Sequence, residues 1–397
     1  MKKKLGLALA ISLLTTGAFA SKARLQALGE DENGSFIVQD VRNIFYSPAQ
    51  ALYYKDGVAF EWGDTSEISD SNSDPRAEGG ILKSYGNMVY GLYFGYEASD
   101  GNALRQFAGT GTTEMNNVSF LAAGDAGIQW GAAITYGSFK NEGNYGQAQS
   151  LAVDGNGDGV NDTSINNYSD GEATLLRSRL SAITGDWEFY ARINLLNKAE
   201  GTANVTPGAT PGAPGSGTDV DGEFDGKSGW QVGAIHTLNE LKYVLTATGL
   251  SGENEAGTEY KYSAYELQVG SVKQLNDTAS MNYRIGAKYQ DEEEGNFITS
   301  KQTGAAPAAF GGTEAQVMQL PAVLGLEVQA NEWLILRSSV EHVLWSSYDD
   351  GTNDSQLADT TSVNAGAGVV FGDFLVDVSL QNTNQSNKGR ASMTYKF

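Results

Sequence analysis

The sequence contains no cysteine and only two histidines among its 397 residues. Without cysteine, the chain can form neither a disulfide framework nor a lipid anchor on an N-terminal thiol. A zinc site built on thiolates is excluded for the same reason. The folded chain must therefore be stabilised by packing and by backbone pairing.

Basic residues are also scarce, with 26 Lys and Arg against 48 Asp and Glu, which gives a formal net charge of -22. Nucleic acid is an unsuitable partner, because its phosphates require a basic protein surface. Direct contact with anionic lipid headgroups is disfavoured unless cations lie between. The acidic composition thus argues against nucleic acid and anionic lipid headgroups as direct partners.

Long apolar runs are absent except at the start, where Lys2, Lys3 and Lys4 precede an apolar stretch from Leu5 to Ala20. Its small-residue end, Ala18-Phe19-Ala20, fits the site at which signal peptidase cleaves, so residues 1–20 are predicted to be a signal peptide. Ser21 would begin the mature chain, and loss of the three lysines leaves a net charge of -25. No later stretch approaches the ~18 apolar residues of a transmembrane helix.

What the sequence does contain is alternation of apolar and polar residues with a period of two. In the stretch 187–195, Trp187, Phe189 and Ile193 lie in one row, and Glu188 and Arg192 lie in the other. Successive strand side chains point to opposite faces, so one face suits lipid and the other suits water. The stretches 176–182, 282–290 and 392–397 alternate in the same way.

Tight turns and longer polar connections alternate along the chain. The turns are predicted at residues 86–87, 124–125, 185–186, 239–240, 276–277, 331–332 and 372–373, and the longer connections at 66–78, 98–114, 141–170, 199–225, 253–257, 291–313, 348–359 and 384–389. Outer-membrane barrels have short periplasmic turns and longer external loops. The pattern predicts an all-β fold, a transmembrane antiparallel β-barrel of 16 strands over residues 58–397, with 14 strands as the alternative.

The sheet is expected to close into a barrel because the bilayer core contains no water, and an open sheet would leave the backbone groups of its two edges unpaired. A barrel of this size encloses an aqueous lumen. Residues 21–57 do not alternate well, and we expect them to form a periplasmic arm or a lumen plug, with Pro48 preventing a regular helix across it. Aromatic girdles are expected from Tyr90, Tyr93, Phe94, Tyr96, Trp130, Tyr136, Trp187, Trp230, Trp333, Trp345 and Tyr348.

The signal peptide, the alternating strands and the terminal Met393, Tyr395 and Phe397 together resemble porin-type bacterial outer-membrane proteins. That resemblance implies an integral outer-membrane location in a Gram-negative cell, with the last strand as the signal read by the barrel-assembly machinery. It also implies outer-membrane lipid as a partner and a homotrimer as a candidate assembly. The pattern is similar, too, to the major outer-membrane porins of predatory deltaproteobacteria.

A second resemblance is confined to the stretch before the barrel. Residues 43–49, Asn-Ile-Phe-Tyr-Ser-Pro-Ala, resemble the N-terminal hatch of FadL-type transporters of hydrophobic compounds. That hatch usually reads N-P-A, and here Ser47 replaces the asparagine.

Charged residues on the polar rows are the candidate pore-lining groups, because fixed charge in a water-filled channel biases which ions and solutes enter. An equal alternative is that these charges pair across strands to hold register. The candidates are Arg177, Arg179, Glu188, Arg192, Lys242, Glu266, Arg284, Lys288, Arg337 and Glu341.

One acidic loop carries a candidate metal site. Asp154, Asn156, Asp158 and Asp162 occupy positions one, three, five and nine of a calcium-loop pattern, with glycine at six. Position twelve is Ile165, where the full pattern has a bidentate glutamate. A calcium ion in this external loop is one interpretation, and a turn-rich acidic loop tip is the other. No other cofactor is expected.

Catalysis is not predicted. His236 lies beside a tight turn and His342 lies on the apolar row of its strand, so neither belongs to a lumen triad. We therefore predict a porin for passive diffusion of small hydrophilic solutes and ions, and not an enzyme. The alternatives are a FadL-like transporter of hydrophobic compounds and a structural or adhesive surface barrel.

Overall fold

The computed structural model describes residues 21–63, 76–96, 117–145, 163–207, 218–254, 257, 259–293, 314–349, 354–355, 361–382 and 387–397. The signal-peptide prediction and the residues of the candidate calcium loop lie outside these ranges. Among the described residues, every helix is too short or too polar to cross a bilayer.

The described chain is dominated by β-strands. They are β1 (Gly57–Gly63), β2 (Arg76–Tyr85), β3 (Met88–Phe94), β4 (Val118–Asp125), β5 (Gln129–Tyr145), β6 (Thr163–Thr184), β7 (Trp187–Pro207), β8 (Thr218–Leu238), β9 (Leu241–Asn254), β10 (Glu259–Asn276), β11 (Ala279–Glu293), β12 (Ala315–Gln329), β13 (Leu334–Asp349), β14 (Asp354–Ser355), β15 (Thr361–Phe371), β16 (Phe374–Asn382) and β17 (Asn387–Lys396).

Sixteen of these strands close into an antiparallel barrel, which confirms the predicted fold class and strand number. Each strand pairs with its neighbours in sequence, and β1 pairs with both β2 and β17, so the sheet has no free edge there. The two-residue β14 pairs only with the end of β13, which pairs onward with β15. The short strands β2 and β17 both belong to the barrel.

The predicted alternation corresponds to the two faces of the wall. On β7, Trp187, Phe189 and Ile193 are exposed on the outside, whereas Tyr190 and Arg192 are buried on the inside. Large apolar side chains cover the exterior of the other strands in the same way. The barrel wall is therefore mostly apolar outside, whereas its inner face carries charged and polar residues together with apolar ones.

The seven tight turns all lie at one end of the barrel, as predicted. At the other end, two connections are shorter than expected because the strands continue. Residues 141–145 of β5 still pair with 168–171 of β6, and residues 163–169 of β6 pair with 202–207 of β7. Residues 199–205 of β7 pair with 218–224 of β8. These stretches are rich in Gly, Asn, Asp and Thr, which are typical of turns. Where alternation persists, as in 218–225, the apolar row is the inner one: Phe224 is buried inside the barrel, whereas Glu223 is exposed.

Three aromatic residues expected in the girdles point inward instead. Tyr93, Tyr96 and Tyr348 are 8%, 2% and 7% exposed. Tyr93 Oη donates to Glu61 Oε2 at 2.7 Å, and Tyr96 stacks on Phe45 with the ring centroids 3.8 Å apart. These rings fill the lumen, so their expected role at the membrane interface was wrong.

Residues 21–56, called the inner segment below, precede β1. They form one short helix, α1 (Lys22–Ala27), and two 3-10 helices, η1 (Val41–Phe45) and η2 (Pro48–Tyr53). Ser21 caps α1 by accepting from the Arg24 backbone, and Asp40 caps η1 by accepting from the Arg42 backbone. Pro48 begins η2, where its missing N–H leaves no helical bond unmade.

Candidate functional site

The inner segment lies within the ring of strands, because its contacts reach strands on all sides of the barrel. Ion pairs, hydrogen bonds and aromatic contacts connect it to β1, β2, β3, β5, β6, β7, β9, β11, β12, β16 and β17. Most of its side chains are buried. Of the two placements expected for this segment, these contacts favour the lumen plug over the periplasmic arm.

Buried ion pairs join the inner segment to β1 and β2. Arg42 Nη1 lies 2.6 Å from Glu61 Oε2 and 3.0 Å from Glu78 Oε2. Lys22 forms an ion pair with the same Glu78, and its backbone N–H donates to Glu61 Oε1 at 2.7 Å. All four side chains are almost fully buried, so these charges depend on one another for solvation.

The same attachment continues along β12, β13 and β16. Arg24 Nε lies 2.9 Å from Glu327 Oε2, which also lies 2.6 Å from Arg337 Nε. Arg337 Nη1 in turn lies 2.5 Å from Asp377 Oδ1, and Ser21 Oγ donates to Asp377 Oδ2 at 3.3 Å. One wall of the barrel thus holds the first part of the inner segment by a continuous polar network.

Burial changes the acidity of groups in the inner segment. Desolvation raises the pKa of Asp40 to about 7, although Arg24 and the hydrogen bond from the Arg42 backbone act in the opposite direction. Desolvation also raises the pKa of Glu30 against the effect of Arg284. For Lys22, desolvation lowers the pKa in spite of Glu78.

An arginine–aromatic cluster packs the middle of the inner segment against β3 and β6. Phe45 lies edge-on to Tyr93 and face-on to Tyr96. The guanidinium carbons of Arg42 and Arg179 lie 4.5 Å and 5.4 Å from the Phe45 ring centroid. These cation–π contacts help to stabilise the buried Arg179 guanidinium and add to the ion pairs of Arg42.

The cluster also has little free space. The apolar pocket lined by Ile44, Phe45, Leu82, Leu92, Tyr93 and Leu121 holds only about 10 Å³, which is near the volume that one water molecule needs. The apolar side of the inner segment is therefore closely packed against barrel side chains such as Leu82, Tyr93 and Leu121.

A larger cavity of about 510 Å³ lies on the other side of the inner segment, against β7 to β13. Residues 29–36 and Tyr46 form one wall. The facing wall is mostly polar and charged, and includes Arg192, Gln231, Thr246, Thr248, Tyr262, Glu266, Gln268, Arg284, Lys288, Gln290, Glu292, Gln319 and Glu341. This volume falls in the range of small-molecule sites.

The predicted pore-lining residues divide into two groups. Five of them, Arg192, Glu266, Arg284, Lys288 and Glu341, line the cavity. The others are occupied elsewhere on the inner face. Arg177 Nε donates to Asn194, Arg179 Nη2 donates to Thr135, Glu188 accepts from Gln50, Lys242 donates to the carbonyls of Phe36 and Ile37, and Arg337 joins the ion-pair network.

Sequence reasoning missed the partners of the inner segment. Glu61, Glu78, Glu327 and Asp377 are charged residues that face inward on their strands, and a consistent reading of alternation would have placed them there. No sequence pattern indicated that Glu61, Glu78 and Glu327 pair with Lys22, Arg24 and Arg42, or that Asp377 accepts from Ser21, because the partners lie in a stretch without periodicity.

The other sequence-based candidates are placed as follows. His236 stacks on Trp187 with ring centroids 4.2 Å apart, and His342 Nδ1 lies 2.9 Å from Thr361 Oγ1. Asp154, Asn156, Asp158 and Asp162 lie outside the described residues, so the calcium site stays a prediction. Within the described ranges, no group of three or more His, Asp or Glu side chains is arranged to hold a metal ion.

The C-terminal aromatic residues meet the first strands at the tight-turn end. The Phe397 backbone N–H donates to the Asp56 carbonyl at 3.0 Å, and Lys83 Nζ lies 4.7 Å from the Phe397 ring centroid. Tyr395 stacks on Phe374 at 4.3 Å, and Met393 pairs with Phe60 across the closing seam. Their predicted role as an assembly signal stays a prediction.

No family model and no curated protein matches this sequence. Among solved structures, the chain is similar to the toluene transporter TbuX of Ralstonia pickettii, at 13% identity over 96% of this chain and 99% of that chain, with a TM-score of 0.43. It is similar to a FadL homologue from Pseudomonas aeruginosa at 12% identity, over 95% and 98% of the two chains, with a TM-score of 0.46. A porin refined at 1.8 Å resolution is 12% identical over 86% and 99%, with a TM-score of 0.39. These sequence identities and TM-scores are too low to assign a function to the chain.

Proposed function

We propose that this porin-type barrel is an outer-membrane channel that passes small hydrophilic solutes and ions between the inner segment and the wall formed by β7 to β13. The apolar exterior fits a bilayer, and the closed sheet satisfies the backbone there. The tight turns would face the periplasm and the longer connections the outside. Nothing in this role requires a catalytic group.

The observation that carries the proposal is the contrast between the two sides of the inner segment. The space of about 510 Å³ is lined mostly by polar and charged groups, whereas the apolar pocket is filled to about 10 Å³. A transporter of hydrophobic compounds needs the reverse, because an apolar solute gains nothing from displacing water bound to carboxylates and amides. The arrangement therefore supports hydrophilic solutes over the FadL-like alternative.

A swelling assay with proteoliposomes tests this function. Vesicles that contain the mature chain should swell in an isosmotic pentose solution, and Thr248→Trp, which fills the cavity, should slow the swelling. Val232→Trp is the matched control, because Val232 is 44% exposed on the outer face of β8 and a tryptophan there leaves the lumen unchanged. The proposal would be contradicted if the vesicles took up a monoaromatic hydrocarbon but did not swell in the pentose solution.

A structural barrel with a closed lumen is the second candidate. The buried ion pairs that fix the inner segment favour it, because they give this segment a single seated position. Proteoliposomes that neither swell nor conduct would support this alternative.

A further inference from the structure

Acidic side chains outnumber basic ones around the lumen cavity. Its lining contains five carboxylates, Glu30, Asp31, Glu266, Glu292 and Glu341, and three cationic groups, Arg192, Arg284 and Lys288. The electrostatic fields of two adjacent opposite charges largely cancel away from the pair. The position of each cation therefore decides how strongly the carboxylates act on a passing ion.

Arg284 is held by carboxylates of the cavity itself. Its Nε lies 3.4 Å from Glu30 Oε2 and its Nη2 lies 3.9 Å from Glu341 Oε1. Arg284 Nη2 also donates to the Gly29 carbonyl at 3.2 Å. Its charge is therefore directed at the inner segment and is offset there.

The other two cations lie beside different neighbours. Arg192 is only 9% exposed, with its guanidinium carbon 6.0 Å from the centroid of the Tyr46 ring. Lys288 lies directly across the β10–β11 pair from Glu266, whose Oε1 accepts from Gln268 at 2.7 Å. With five carboxylates and three cations, the lining as a whole has a formal net charge of -2.

We infer that the cavity is a cation-selective passage, which takes small monovalent cations in preference to anions. A narrow aqueous space with low-dielectric walls concentrates the field of the net negative charge of its lining, and so raises the local concentration of cations. This inference rests on the proposed channel function and adds the class of solute. Glu266 and Glu341 are two of the three lining carboxylates on the barrel wall, and each contributes to the preference.

Reversal potentials under a gradient of KCl across a planar bilayer test the inference. The wild-type channel should carry more potassium than chloride. Glu266→Gln and Glu341→Gln should each lower the potassium-to-chloride permeability ratio by about twofold, the Coulomb effect of one unit charge on an ion at a separation near the width of the cavity. The double variant should lose both contributions, and Lys288→Gln should raise the ratio.

Asp373→Asn is the matched control, because it removes the same charge from an exposed tight turn outside the cavity. It should leave the ratio close to that of the wild type. The inference is overturned if the wild type conducts without preference for cations, or if Glu266→Gln and Glu341→Gln change the ratio no more than Asp373→Asn does. Absence of any conductance from the wild type would instead refute the proposed channel itself.

Discussion

The guanidinium of Arg42 in the inner segment lies 2.6 Å from the carboxylate of Glu61 on the first barrel strand, and each side chain is 1% exposed. Removing one partner of a buried ion pair leaves the other charged and unsolvated. A buried ion pair adds little net stability to the folded protein, but moving one partner away from the other is costly. The pair therefore holds the inner segment in one position.

Arg42→Met should weaken the docking of the inner segment by about 3–5 kcal/mol, since Glu61 and Glu78 would then share only Lys22. We expect faster chymotrypsin cleavage after Phe45 and a larger single-channel conductance. Lys227→Met is the control, because its ion pairs with Asp225 and Glu253 are solvent-exposed. Equal cleavage rates for the two variants would count against the role assigned to Arg42.

Gly131 on β5 lies directly beneath the backbone of the inner segment. A side chain there would overlap the backbone of Pro48 and Ala49. Gly131→Ala should therefore displace the start of η2 at a cost of about 1–3 kcal/mol to docking and increase the conductance. Gly389→Ala, whose added Cβ would lie no closer than 3.6 Å to any neighbour, should behave like the wild type. An unchanged conductance for Gly131→Ala would show that the inner segment does not narrow the path.

The raised pKa of Asp40, about 7, makes the docking of the inner segment depend on pH. The docked state favours the protonated carboxyl, so this stabilisation is complete below the ordinary pKa of an aspartate, near ~4, and is lost as the pH rises through about 7. The charged and titratable groups around Asp40 are Arg24, Arg42, Glu61 and Tyr54.

We therefore expect wild-type conductance to rise between pH 6 and pH 8 by more than that of Asp40→Asn, in which this carboxyl cannot ionise. The amide can still accept the hydrogen bond that caps η1. Identical pH profiles for the two proteins would assign the dependence to other groups.

The last residue is expected to act in assembly and not in conduction. Phe397→Ala should lower the amount of chain recovered in the outer-membrane fraction several-fold, while refolded protein keeps its conductance. Phe371→Ala is the control, because Phe371 is also exposed, at 65%, beside a tight turn of the same end. Normal recovery of Phe397→Ala would remove the assembly role.

The barrel could be predicted from the sequence because its strands and turns leave patterns among neighbouring residues in the chain. Period-two alternation in stretches such as 176–182 and 187–195 gives both the strand and its two faces, and residues such as Gly185 and Gly372, with positive φ, mark the turns. The ends of β5 to β8 were missed because they are rich in Gly, Asn, Asp and Thr, which are typical of turns, and because the apolar row of 218–225, with Phe224, is buried inside the barrel and does not face lipid.

The interior could not be predicted in the same way. The inward charges of Arg337 and Glu341 follow from alternation, but only one of them lines the cavity. The difference depends on the inner segment, whose residues Arg24 and Glu30 approach β11 and β12 from more than 250 positions away in the chain. No local periodicity records such contacts.

The absence of native cysteine allows a direct test of whether solutes pass beside a seated inner segment. A Cβ on Gly366 would lie 2.6 Å from the Cβ of Ala27, so Ala27→Cys with Gly366→Cys places two thiols within bonding reach after a small shift. The decisive measurement is the single-channel current of this double variant, oxidised and then reduced. We expect the oxidised channel, with α1 tied to β15, still to conduct ions. A current that is absent in the oxidised channel and appears on reduction would contradict it, because solutes would then pass only after the inner segment has left the lumen.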